Sequence, residues 1–286
     1  MRLKTKLFGT VYQFKDIKEV LAKANEEKSG DSLAGISAES LTERIAAKEV
    51  LSNLTLSDLR NNPVVPYEED EVTRIIQDAV NEKIYNGIKN WTVAELREWL
   101  LDVKTTDQDI RRIRRGLTSE MIAAVAKLMT NLDLVYAAKK IKVIAHCNTT
   151  IGTENTLAMR LQPNHPSDNI DGILISLYEG LSYGIGDAVL GLNPVDDSVE
   201  NVTSVLNLFE EVKTKWEIPT QNCVLAHVTT QMEAIRKGAP SDMIFQSIAG
   251  TQKGNEAFGV TAELLDEARE LVLKEGTSVG PNVMYF

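Results

Sequence analysis

The sequence predicts an α/β protein: a helical N-terminal region over residues 1–138, then an incomplete (β/α)8 barrel of the TIM type over 139–286, with about five strands present. Three observations predict it. Apolar residues recur at helical spacing through the first part. After Lys139 short apolar runs replace that pattern. Amphipathic segments separate the runs, and strand–helix alternation is the mark of a parallel sheet.

The elements follow in order. "KLFGTVYQF" alternates around Gly9 and reads as a small hairpin. "DIKEVLAKANEEK" puts Ile17, Val20, Leu21 and Ala24 on one helical face, and "SAESLTERIAAKEVLSNL" repeats this with Leu41, Ile45, Ala46 and Leu51. Thr55 or Ser57 can cap "TLSDLRNN", which Pro63 ends. "EEDEVTRIIQDAVNEKIYNGIKN" reads as one long amphipathic helix with acids at its start, where the helix dipole favours them. Thr92 and Glu95 form a capping-box pair ahead of "ELREWLLD". "TSEMIAAVAKLMTNLDLVYAAKK" reads as a further helix, apolar enough to be largely buried.

The apolar runs are "KVIAH" (142–146), "DAVLGL" (187–192), "CVLAHV" (223–228), "MIFQSI" (243–248) and "VMYF" (283–286). Each connection is long enough for a βαβ crossover. A doubly wound sheet would be complete with these strands, whereas a barrel needs eight. No G-x-G-x-x-G or Walker A turn follows any run, which removes the commonest doubly wound nucleotide binders. The run ends carry His146, Asn148, Asn193, His227, Gln246 and Ser247. Polar residues there suit the mouth of a barrel, so the barrel is preferred and the open sheet stays as the alternative.

The net charge is −10, with Asp+Glu 41 against Lys+Arg 31, which argues against non-specific nucleic-acid binding. No apolar run approaches a membrane span, and "MRLKTKLFGTVYQF" has no apolar stretch of signal-peptide type. Two cysteines, Cys147 and Cys223, make a poor disulfide framework and point to the reducing cytoplasm.

The connection "CNTTIGTENTLAMRLQPNHPSDN" reads either as a solvated loop or as a functional one. It offers Asn148, Thr149, Thr150, Arg160, Gln162, Asn164 and His165, of which Arg160 and Gln162 are two apart and so on one face of an extended segment. Asn193-Pro194 ends the second run; its plain reading is a turn. Gln246 and Ser247 interrupt an apolar run and either satisfy buried neighbours or point into the mouth. His146, Cys147, Cys223 and His227 fit no closed zinc spacing, and the cysteines read as small core residues. No G-x-S-x-G elbow is present, and "IRRIRRG" reads as a solvated helix face or as a contact to an acidic partner. Neutral amides with one Arg and few placed carboxylates suit holding a small polar molecule better than acid–base chemistry.

"NTTIG", "RLQPN", "YEGLSYGIGDAVLGLNPV", "IPTQNCVLAHVTTQMEAIRKGAP" and "FQSIAG" resemble the large (heavy) subunit of ethanolamine ammonia-lyase, as do "FGTVYQFKDIKEVLAKANEEKSGD", "LRNNPVVPYEEDEVTRIIQD" and "RGLTSE". The resemblance runs the length of the chain. It implies an adenosylcobalamin-dependent lyase that converts ethanolamine to acetaldehyde and ammonia. It implies a small-subunit partner, a homo-oligomer of large subunits (trimers of dimers), and a cytoplasmic or microcompartment location. Arg160, Gln162 and Asn193 match positions that bind substrate, chiefly its hydroxyl; Pro194 and Gln246 match positions that touch the cofactor.

The same resemblance places a glutamate and an aspartate for the substrate ammonium, and three further strands, beyond Phe286. On that reading the chain is a C-terminally truncated subunit, inactive alone; the alternative is a non-catalytic assembly or decoy chain. A different barrel enzyme with a metal at His146 and His227 is the third reading. Two departures, "TENTLAM" (153–159) and Ser241-Asp242, are expected to reshape two mouth loops.

Overall fold

The computed structural model describes residues 3–286. They form an α/β protein in two compact units, Met1–Lys142 and Val143–Phe286.

The first unit opens with strands β1 (Lys4–Leu7) and β2 (Thr10–Gln13), an antiparallel hairpin turning on Phe8 and Gly9, both at positive φ. Phe8 takes the ordinary left-handed region at φ 48°, while Gly9 at φ 87° lies further out, where an L side chain is strained. Ten α-helices follow among the described residues: α1 (Ile17–Lys23), α2 (Ser29–Leu33), α3 (Leu41–Ser52), α4 (Leu56–Asn61), α5 (Glu71–Asp78), α6 (Glu82–Ile88), α7 (Val93–Leu101), α8 (Asp107–Ile113), α9 (Ser119–Lys127) and α10 (Asn131–Lys140). Their buried faces, with Ile17, Leu51, Leu56, Leu96 and Met121 innermost, make one core. Thr55 and Thr92 each close a capping box, with Asp58 and Glu95.

Two long helices expected from the pattern are each divided. Asn81 caps α6 through Ile84 N, and Thr130 with Asp133 caps α10. Each cap satisfies N–H groups that a continuous helix would have bonded internally. The second segment is not largely buried either: α10 buries Ala137 but exposes Leu132 and Val135.

In the second unit, β3 (Ala145–His146) pairs antiparallel with β4 (Thr150–Ile151). "KVIAH" is therefore not the first parallel strand; Val143 and Ile144 stand exposed. That position falls to β5 (Arg160–Leu161), which leads to α11 (Ile170–Ser182), β6 (Val189–Leu192), α12 (Val199–Trp216), β7 (Asn222–Val224) and α13 (Val228–Arg236). Then come β8 (Ile244–Phe245), α14 (Gln252–Glu256), α15 (Ala262–Glu275) and β9 (Met284–Tyr285). β5, β6 and β7 form a parallel sheet in that order, with Leu161 opposite Leu190 and Gly191 opposite Cys223. β8 and β9 pair in parallel, Phe245 opposite Tyr285.

Every residue of β6 is buried, as expected of a parallel strand covered on both faces. Helices α11 and α12 pack Ile173, Leu177, Val205 and Phe209 against it, while Val228, Ile235, Val272 and Val283 gather around Ile244.

Candidate functional site

Three loops leave the C-terminal ends of β6, β7 and β8 and are tied to each other. The Asp197 carboxylate accepts from His227 N at 3.2 Å. His227 Nδ1 accepts from Thr229 N at 3.3 Å, so the ring proton sits on Nε2 and is donated to the Phe258 carbonyl at 2.9 Å. Gln246 Oε1 accepts from Val228 N at 2.9 Å, capping the start of α13.

On this rim Arg160 is half-buried on β5. Nη1 donates to the Tyr285 hydroxyl at 3.2 Å; Nη2 donates to Asn193 Oδ1 at 3.2 Å and, more weakly, to the Gly191 carbonyl at 3.5 Å. The guanidinium also lies 5.7 Å from the Tyr285 ring centre. Its Nε is buried without a hydrogen-bond partner. Gly191 leaves room for it: a Cβ there would stand 2.9 Å from Nε. Leu161 points the other way, into the core, so the pleat puts Arg160 and Gln162 on the opposite face. Gln162 and Asn193 are exposed and Pro194 is half-exposed.

The structure thus joins Arg160 to Asn193, with Gln162 on the same face. Gln246 sits apart from that pair: it is 7% exposed, its oxygen caps α13 and its Nε2 donates to Ser247 O at 3.0 Å. Asn164 was already among the candidates of the connection, whereas Tyr285 was hidden in the sequence as one more aromatic in a strand, and Asp168 as a loop polar. Only their positions after folding mark them out.

The other candidates resolve simply. Both cysteines are free and buried, and burial pushes their thiols up, to about 11 for Cys147, where Asp242 adds to the effect, and to about 12 for Cys223. Among the described residues no group of three or more His, Cys, Asp or Glu could hold a metal ion. In "IRRIRRG", Arg111 pairs with Asp107 and Arg112 with Asp109 on the surface of α8.

Neither departure reshapes a loop at the C-terminal strand ends. Residues 153–159 lie just before β5, and Ser241-Asp242 just before β8, both at N-terminal strand ends. Asp242 is fully buried there, paired to Lys213 Nζ at 2.5 Å and accepting from Asn222 N at 2.8 Å at the start of β7.

These features define a parallel β/α protein with a guanidinium and neutral amides at its strand ends. Comparison with known proteins gives its family. The family model for "Ethanolamine ammonia lyase large subunit (EutB)" matches residues 12–286. The ethanolamine ammonia-lyase large subunit of Escherichia coli (strain K12) is 58% identical over 286 residues, all of this chain and 63% of the relative. That of Salmonella typhimurium (strain LT2) is 58% identical over the same share. The chain belongs to the ethanolamine ammonia-lyase large subunit family. It spans 63% of the length of the curated relatives it matches.

Proposed function

We propose that this chain belongs to the catalytic large subunit of an adenosylcobalamin-dependent ethanolamine ammonia-lyase, with its β/α unit part of a (β/α)8 barrel. The observation that carries the reading is 58% identity over all 286 residues to relatives of that name. Parallel ladders β5–β6–β7 and β8–β9 with helical crossovers support the barrel.

In this reading Arg160, Gln162 and Asn193 take the substrate hydroxyl. The Arg160 guanidinium donates, and Asn193 and Gln162 can each donate and accept. None of them needs to titrate, so they hold the amino alcohol without adding a proton donor of matched pKa beside reactive intermediates. Tyr285 and Asn193 fix the guanidinium plane, which spares ordering cost when substrate arrives.

The rim fits a large, partly apolar cofactor. Val195, Ile248 and Phe258 stand exposed just past β6, after Gln246 and on the carbonyl that His227 holds. Pro194 would contact the cofactor directly, and Gln246 would do so through its remaining Nε2 hydrogen. Adenosylcobalamin, when bound, supplies the radical chemistry of carbon–nitrogen cleavage.

The partners are the small subunit and further large subunits in trimers of dimers. The location is the cytoplasm or a microcompartment within it; no described helix is long and apolar enough to cross a membrane.

The test is direct. The protein as its own cell makes it, with the small subunit and adenosylcobalamin, should convert ethanolamine to acetaldehyde and ammonia. Purified protein that does not turn over but captures whole large subunits would replace the reading with that of an assembly chain.

A further inference from the structure

Pro194 has no N–H, and the backbone donors on either side of it are both held by one loop. Asn193 N donates to Asn164 Oδ1 at 3.0 Å. Val195 N and Asp196 N donate to Asp168 Oδ2 at 2.7 and 2.8 Å. The Asn201 side chain, in the first turn of α12, donates to the same oxygen at 2.8 Å. Asn164 and Asp168 both belong to the segment that joins β5 to α11.

This segment is itself braced. His165 Nδ1 accepts from Ser167 N and Asn169 N, both at 3.3 Å, and its ring packs where a Cβ on Gly172 would stand. Asp168 is 7% exposed and adopts a left-handed backbone at φ 49°, which Asp tolerates better than most residues. A carboxylate is withdrawn from water and set among three donors, and charge-assisted bonds of this kind are the strong ones. No other described acceptor takes Val195 N or Asp196 N.

We propose that Asp168, seconded by Asn164, is a positioning residue: it clamps the turn 193–196 so that Asn193 and Pro194 face Arg160 at the reacting centre. This rests on the function proposed above. Asp168 itself touches no ligand; it acts by fixing the turn, and a displacement of about 1 Å at such a centre can cost about a hundredfold in rate.

The test compares Asp168→Ala, Asp168→Asn and Asn164→Ala in the holoenzyme, with two readouts. The first is steady-state kinetics. Asp168→Ala should raise KM for ethanolamine roughly tenfold to a hundredfold while kcat falls less. Asp168→Asn should recover most of this, because its amide oxygen can take the place of Oδ2. Its NH2 would then stand where Oδ1 has no partner, so recovery stops short of full. A merely structural role would lower the active fraction, and so kcat, with KM unmoved, and that result overturns the proposal.

The second readout is amide hydrogen exchange, which needs no turnover. Exchange at Val195 and Asp196 should quicken at least about tenfold in Asp168→Ala and hold in Asp168→Asn. Asn164→Ala should quicken Asn193 alone. Unchanged exchange at Val195 and Asp196 sinks the clamp. Exchange that responds in a protein with no lyase turnover, unmodified, overturns the proposed function and with it Asp168's role in that reaction.

Discussion

Arg160 donates from Nη2 to the Asn193 side-chain oxygen across 3.2 Å, so β5 and the end of β6 present one polar unit. Nη1 is meanwhile bonded to Tyr285. A lysine has the charge but not the fork and cannot serve both partners in this geometry. Arg160→Lys should therefore lower kcat/KM for ethanolamine by roughly 10- to 100-fold, the range of one or two charged hydrogen bonds. Steady-state kinetics on the holoenzyme checks this.

Gly191 tests the same unit from below. A Cβ there would stand 2.9 Å from Arg160 Nε and 3.3 Å from Cζ. Its backbone is not left-handed, so alanine is tolerated conformationally and its effect passes through the guanidinium. Gly191→Ala should raise KM while stability falls by only about 1–3 kcal/mol, a shift of several degrees in melting temperature. A large loss of stability with KM unchanged would mean that Gly191 serves packing alone.

Asp242 makes a buried ion pair with Lys213 and also accepts from Thr277 Oγ1 at 2.7 Å. Asp242→Ala would leave the Lys213 ammonium enclosed, with only Glu210 beside it. The expected cost is about 3–5 kcal/mol in urea unfolding, with ethanolamine KM unaffected in whatever folds. The pair lies at the N-terminal strand ends, away from Arg160.

The broad pattern was legible because it depends on local periodicity. The hairpin at Gly9, the caps at Thr55 and Thr92, and the runs holding β6 to β9 were all visible. What failed was decided over longer distances. Thr130 and Asn81 cut helices whose periodicity runs through the break, because a cap needs one side chain and leaves the apolar pattern intact. β5 was hidden because Arg-Leu-Gln carries a single apolar residue; its strand character comes from pairing with Val189 and Leu190. At the site, Arg160, Gln162 and Asn193 were marked by residue type and family resemblance. Asn164 was marked only as one polar residue of the connection, and Tyr285 and Asp168 were not marked, since their importance lies in bonds spanning tens of residues of sequence.

The cysteines predict a pH dependence. Unfolded thiols ionise near the ordinary 9.0, whereas burial holds Cys147 protonated to about 11 and Cys223 to about 12. The raised values favour the fold in full below pH 9. Above it the unfolded chain sheds protons that the folded chain keeps, so stability falls as pH climbs toward 11. Urea midpoints measured from pH 8 to 10.5 should decline, and serine at both positions should flatten the decline. Thiol reagents at pH 8 should label neither residue until the protein is unfolded.

The central claim is that Arg160, Gln162 and Asn193 hold the hydroxyl of a small amino alcohol. The most direct measurement is the KM for ethanolamine of the unmodified protein and of Asn193→Ala, each with the small subunit and adenosylcobalamin. The account predicts acetaldehyde and ammonia in equal amounts from the first, and a KM raised at least about tenfold in the second. Acetaldehyde formed with the same KM by both proteins, or by neither, would contradict it.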